Sequence, residues 1–427
     1  MTVHHAVSNP AIRIADIMPD INIKRIEDDI MAVAKFGGEG SDKGVFRQGF
    51  TKADMDARHW LKEQFEANNL ATRIDGAGNV IGRYGPQTGP AVIIASHLDS
   101  VPAGGIFDGV LGVVAGLECL RVVAENDIQL DYAVEVIATS EEEGRFGGML
   151  GAQALTGDLT LEWLEQAKDA DGVYLKDAMQ ACGFDYRDAM HAHRRPEEIK
   201  AFLELHIEQG PVLDMTKIPI GIVSGISGVF KWKVKLIGKA GHAGTAPMDM
   251  RSDAFTGLVE FAHEIPRIID EEGTDTSRIT IGFVELKPGF PHTVPGAVDF
   301  TIVGRDLDGE KMRDLANACQ RVLSTIARRN KLKFEYEEMS WLTPCYCSQN
   351  IIEVIEKHTR KREYAFMHMP SGAGHDVQFF TQITNAGLIF VPSLKGISHA
   401  PDEWTHWSDI ERGGNLLLDC MIDLATD

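Results

Sequence analysis

The sequence predicts an α/β fold, a sheet with helices on its faces, into which a second domain of order βαββαβ is inserted. Three observations predict it: apolar β-rich runs alternate with helical patterns early in the chain, a self-contained strand and helix order follows, and the first pattern then resumes. In the first stretch "AVIIASH" (91–97) leads into "GVLGVVAGLECLRVVAEN" (109–126), and "DYAVEVIATS" (131–140) into "EEEGRFGGMLGAQAL" (141–155). In the second, strand "VFKWKVKLIG" is followed by a helix from about 250 to 272 and by strands "RITIGFVEL" and "AVDFTIVG". A helix from about 309 to 329 and strand "KLKFEYEEM" complete it, which is the split βαβ order. Helix "NIIEVIEKHTRKR" and strand "AGLIFVPS" then resume the first domain, and a helical tail ends it. The expected boundaries are 1–213 with 334–427 for the outer domain and 214–333 for the insertion.

Bulk properties narrow the function. The 427 residues, 44% of them hydrophobic, suffice for a large core and for two or three domains. A net charge of −21 argues against nucleic acid as a partner. Residues 1–20 carry no basic region followed by an apolar one, and no stretch reaches the roughly 18 apolar residues of a membrane span. Six cysteines without framework spacing fit a reducing compartment, so a cytoplasmic protein is expected.

Chemistry concentrates where strands end. "SHLDSVPAGGIFDG" (96–109) places His97, Asp99 and Asp108 after an apolar strand, where each costs desolvation energy unless it is paired. Further groups follow: Glu141 to Glu143 in "TSEEEGRFGG", His206 in "ELHIEQG" and His399 in "GISHAPDE". Taken singly, a histidine near a strand end is a satisfied polar residue and a glutamate run is a solvated helix start. Their recurrence at successive strand ends, where α/β sheets collect ligands, points instead to borderline divalent cations. A shared aspartate is suited to bridge two ions and so to activate water. Asp99 is expected to accept the second N–H of the His97 ring.

The segments "SHLDSVPAGGIFDG", "EEEGRF", "LELHIEQGPVL", "GHAGTAPMDMRSDA", "SGAGHD" and "GISHAPDEW" together resemble the amidase, hydantoinase/carbamoylase branch of the M20 metallopeptidase superfamily. That branch includes N-carbamoyl-L-amino acid hydrolases, allantoate amidohydrolases and β-ureidopropionases. The resemblance implies a dinuclear-metal exopeptidase-like catalytic domain with an inserted ferredoxin-like lid that also forms a homodimer. It implies His97, Asp108 as the bridge, Glu143, His206 and His399 as ligands of two divalent ions, zinc or else manganese, cobalt or nickel. Glu142 is implied as the general base, and His242 as the histidine that hydrogen-bonds the substrate carbonyl across the dimer. Gln209 and Arg305 are implied to bind the substrate's amide and carboxylate. A histidine at 206, where the peptidase branch carries a carboxylate, favours the carbamoylase side.

Two segments depart from the family pattern. "PHTVPG" has His292 where an asparagine is usual, and "VGR" precedes and includes Arg305 where "DIR" is usual. His292 is kept among the expected substrate-binding residues, with substrate identity in question. The expected activity is hydrolysis of a linear C–N amide or ureido bond in a small molecule such as an N-carbamoyl amino acid or allantoate. An aminoacylase or dipeptidase is the alternative, and neither nucleic acid nor membrane is an expected partner.

Overall fold

The computed structural model describes residues 19–38, 40 and 43–426. The expectation drawn from residues 1–20 therefore lies almost wholly outside the described residues. The chain forms two compact units: Met1–Gly221 with Glu353–Met367 and Ile383–Asp427, and Ile222–Ile352 with His368–Gln382. No helix among the described residues is long and apolar enough to cross a membrane.

In the first unit six strands lie in the order Ala71–Ile74, Val80–Tyr84, Ala133–Thr139, Ala91–His97, Ile199–Ile207 and Ala386–Val391. The last four are mutually parallel, and the first two attach antiparallel at the edge. Strands Ala91–His97 and Ala133–Thr139 are buried along their whole length, as expected of mostly apolar strands in a parallel sheet, with Glu135 paired to Arg83 and Arg194. Helix Val110–Glu125 is buried from Val110 to Val123, all round its circumference. It lies so close to the sheet that a Cβ on Gly112 would come 2.5 Å from the Leu205 carbonyl oxygen.

Two buried arginines tie strand ends to the rest of this unit. Arg58, paired with Asp54 at 2.9 Å, donates to the carbonyls of Gly78 and Thr139. Arg47 donates through Nε to Leu98 and through Nη1 to Val33 and Phe36, so it grips the turn after His97. Each replaces solvent for carbonyls where strands, or for Arg47 also helix Ile23–Val33, end.

The segment expected as a helix from Glu141 differs. Only Leu150–Thr156 is helical, because Glu141, Gly144, Gly147, Gly148 and Met149 all take positive φ and break the path. Glu141, for which solvation or local pairing is the expected reading, is locally paired: it is fully buried, and its carboxylate accepts from the amides of Phe146 at 2.5 Å and Gly148 at 3.1 Å.

The second unit contains an antiparallel sheet of Val284–Lys287, Ala297–Asp306, Gly228–Ile237 and Lys333–Leu342, in that order. Helices Ala254–Glu272 and Gly309–Arg329 share its core with Phe230, Val234, Phe300 and Ile302. The expected strand over 278–286 is two short ones, Arg278–Thr280 and Val284–Lys287, both paired to Ala297–Asp306 and separated around Gly282. The helix expected from about 250 begins at Ala254, where the Asp253 side chain accepts from the amides of Phe255 and Thr256.

The "VGR" departure has a packing cause. Gly304 stands opposite Phe230 across the strand pair, and a Cβ there would come 2.1 Å from the Phe230 ring. That ring is fully buried and stacks on Trp341 at 5.9 Å, so the aromatic fills the space a side chain would take. Strand alternation turns Gly304 to the face opposite Arg305. Gly304→Ala is expected to cost about 1–3 kcal/mol by overpacking, read as a lower urea midpoint; an unchanged midpoint would mean that the ring moves aside freely.

Candidate metal centre

All four parallel strands of the first unit deliver polar groups at their carboxyl ends, and these groups converge. His97 ends its strand, Asp108 lies in the loop that follows, Glu142 and Glu143 follow Thr139, His206 lies near the end of Ile199–Ile207, and His399 follows Val391. His97, Asp108 and His206 bring ligand atoms within 4.8 Å of one another, and so do Asp108, Glu143 and His399. Asp108 belongs to both groups, one oxygen to each. Its Oδ1 is 3.5 Å from His97 Nε2 and 3.1 Å from His206 Nε2, while Oδ2 is 3.3 Å from His399 Nε2.

Backbone groups set the histidine tautomers. His97 Nδ1 donates to the Asp99 carbonyl at 3.0 Å and His206 Nδ1 to the Ile207 carbonyl at 2.8 Å. A carbonyl only accepts, so in the neutral ring Nδ1 holds the hydrogen and the Nε2 lone pair faces Asp108. The Gly109 amide, 3.2 Å from His206 Nε2, requires the same tautomer. Asp99 thus accepts the second N–H of the His97 ring as expected, but through its backbone: its carboxylate lies 3.9 Å from His97 Nδ1 and accepts from the amides of Glu142 at 3.2 Å and Glu143 at 3.0 Å. It holds the loop that carries both glutamates.

The electrostatics favour added positive charge. Burial opposes it, yet Glu142, Asp108 and Asp99 hold His97 well above its ordinary range, and Asp108 raises His206 in the same way. The contact with Asp108 lifts His399 to about 9. Burial, and then the Asp108 charge, push Glu143 up to about 7. Glu143 Oε1 is buried with no hydrogen-bond partner among the described residues. An orphaned carboxylate oxygen beside imidazole lone pairs is a donor set that divalent cations fit, and carboxylates rarely stay buried otherwise.

Glu142 is 8% exposed, with Oε2 3.6 Å from His97 Nε2, so it borders the first group without belonging to either. Gln209 lies between the groups' outer members: its Nε2 donates to Asp108 Oδ2 at 2.7 Å and is 3.2 Å from His399 Nε2. Sequence reasoning missed Glu403 and Ser398. Glu403, 3% exposed, accepts from the amides of Phe107 and Asp108 and from the Ser398 hydroxyl. Burial, then the Asp108 charge, push Glu403 up to about 7. Its place in "SHAPDE", four residues after the ligand-type histidine, was the available signal.

The remaining expected site residues lie in the second unit. His242 and His292 are exposed and sit on adjoining backbone: Gly241–His242 pairs with Thr293–Val294, and the Ala243 amide donates to the His292 carbonyl. His242 Nδ1 accepts from the Gly244 amide at 3.0 Å, which leaves Nε2–H as a donor in the neutral ring. Arg305 donates to the Gly372 carbonyl at 2.6 Å, within "SGAGHD". Burial alone lowers its pKa, and no acid pairs with it among the described residues.

The chain matches Peptidase family M20/M25/M40 over residues 93–423. It is 36% identical to an N-carbamoyl-L-amino-acid amidohydrolase of Paenarthrobacter aurescens over 93% of this chain and 97% of that protein. It is 31% identical to an allantoate amidohydrolase of Bacillus subtilis, over 94% of this chain and 97% of that one. Among solved structures it resembles an amidase of the hydantoinase/carbamoylase family from Burkholderia multivorans, with a TM-score of 0.90, 29% identity and coverage of 96% and 99%. The full-length likeness and the paired ligand groups agree: the chain belongs to the M20/M25/M40 peptidase family, in its hydantoinase/carbamoylase branch of amidohydrolases.

Proposed function

We propose that this protein hydrolyses the linear C–N bond of a ureido or N-carbamoyl acid with the help of two divalent cations. The observation that carries the reading is Asp108, which offers one oxygen to each of two ligand groups. His97 and His206 would hold one cation, Glu143 and His399 the other, with Asp108 common to both. Zinc suits the mixture of imidazole and carboxylate, and manganese, cobalt or nickel are the alternatives. Bound cations supply Lewis acidity, which lowers the pKa of water toward roughly 7.

The chain's own residues supply the remaining chemistry. Glu142, beside the first group, takes the proton of the attacking water and returns it to the departing nitrogen. His242, with Nε2–H outward, donates to the substrate carbonyl as it becomes an oxyanion. Arg305 holds the substrate carboxylate in a planar, bidentate contact; its lack of an acidic partner among the described residues supports that role. Gln209 and His292 orient the ureido or amide end. The insertion, expected at 214–333 and compact over Ile222–Ile352 with His368–Gln382, is the proposed lid and homodimer element, and the six free cysteines accord with a cytoplasmic setting.

The test is turnover of N-carbamoyl amino acids, β-ureidopropionate, allantoate, N-acyl amino acids and dipeptides after reconstitution with each metal. Ureido or carbamoyl turnover well above the others supports the proposal; a preference for N-acyl amino acids or dipeptides would replace it with the aminoacylase or dipeptidase reading. In the same assay Arg305→Ala is expected to raise KM for carboxylate substrates by about 10-fold or more, since a hydrogen bond to a charged group contributes about 1.5–3 kcal/mol. An unchanged KM across these substrates would remove the anchor.

A further inference from the structure

We propose that Glu403 is a positioning residue: acting with Ser398, it aims Asp108 and His399 at the cations without touching cation or substrate. The inference rests on the cation reading above and adds a residue to it. Glu403 Oε1 accepts from the backbone amides of Phe107 at 3.0 Å and Asp108 at 3.1 Å. Its Oε2 lies 2.9 Å from the Ser398 hydroxyl, which is also 3.0 Å from Asp108 Oδ2. One side chain thus ties the loop of the shared aspartate to the loop of His399, segments 290 residues apart in the chain.

Three further features show that this contact is built in. His399 takes φ of 55°, a left-handed conformation that a non-glycine residue holds only where its surroundings impose it. The loop before Asp108 passes so close that a Cβ on Gly105 would come 2.1 Å from Glu403 Oε1. Phe107 packs edge-on against Trp404 at 5.3 Å and Trp407 at 5.4 Å, so neighbours of both Asp108 and Glu403 are locked together. A carboxylate buried at 3% exposure costs desolvation energy, and here backbone amides and a hydroxyl of ligand-bearing loops offset it.

The experiment titrates metal-free wild type, Glu403→Ala, Glu403→Gln and Ser398→Ala with Co2+, following its visible spectrum and the binding heat, and measures the melting temperature of each without metal. Glu403→Ala is expected to weaken Co2+ binding about 10- to 100-fold, the usual effect of losing a partner of a metal ligand, and to alter the spectrum. Glu403→Gln keeps an oxygen for the two amides and is expected to recover most of that affinity, whereas Ser398→Ala loses a smaller part. Wild-type affinity and spectrum in Glu403→Ala would overturn the proposal. So would equal losses in the alanine and glutamine variants with equally lowered melting temperatures, since the residue would then only maintain the fold. If Glu403→Ala does not fold, Ser398→Ala decides: a loss supports the proposal and wild-type affinity overturns it. Failure of the wild type to take up Co2+ would instead overturn the cation reading, and this inference with it.

Discussion

Asp108→Asn is expected to lower bound metal from two ions per chain to at most one and to reduce turnover by about three orders of magnitude or more. An amide has a single oxygen with ligand character, whereas Asp108 presents Oδ1 to His97 and His206 and Oδ2 to His399. Both groups lose the central anion, and the one that receives the –NH2 also faces a donor instead of a ligand. A Lewis-acidic ion supplies several kcal/mol of transition-state stabilisation, and each 1.36 kcal/mol is tenfold in rate. The substitution also removes the counter-charge of three imidazoles, each now held above its ordinary range. Elemental analysis of dialysed protein with steady-state kinetics checks both parts. Two tightly held ions and normal turnover in the variant would refute the shared-aspartate reading.

Glu142→Gln is expected to do the opposite to the metal and nearly the same to the rate. The residue borders the first ligand group but belongs to neither, and its amide remains anchored on Asp99 in the variant. Metal content and melting temperature should therefore match wild type. Turnover should fall by about two to four orders of magnitude, the usual contribution of a general base. Near-normal turnover would return the proton-transfer role to another group, and loss of metal would make Glu142 a ligand.

Glu142 and Asp108 were legible in the sequence for a physical reason. Strands Ala91–His97 and Ala133–Thr139 are buried throughout and mostly apolar, so polar residues clustered at and just beyond their ends stand out against that background. The sheet then does the gathering, because parallel neighbours end at the same edge. The insertion's strand and helix order was legible from periodicity, although the break at Gly282 and the later helix start at Ala254, capped by the Asp253 side chain, depend on local contacts.

What stayed hidden is the scaffolding behind the ligands. Asp99, Glu141 and Glu403 each direct a buried carboxylate at backbone amides of a ligand-bearing loop or its continuation. Arg47 and Arg58 do the reverse, directing guanidinium groups at carbonyls. Bonds from side chain to backbone leave no pattern in residue types at the far end, and Glu403 reaches across 296 residues to Phe107. The glutamate run misled for a related reason: its spacing is compatible with a helix, whereas the positive-φ residues and the amides that donate to the buried Glu141 carboxylate make the chain turn there instead.

Gln209 makes the two halves of the proposed two-cation centre unequal. Its amide nitrogen engages Asp108 Oδ2 and touches His399 Nε2, two atoms the outer ion needs, and His399 is itself 48% exposed at its side chain. The inner half, by contrast, has His97 and His206 almost wholly enclosed, with lone pairs already turned inward. On the two-cation proposal, loading is expected to be stepwise: the inner group offers a prepared seat, whereas at the outer one the Gln209 side chain would first have to move aside. Protein purified under scarce metal should accumulate as a half-charged species.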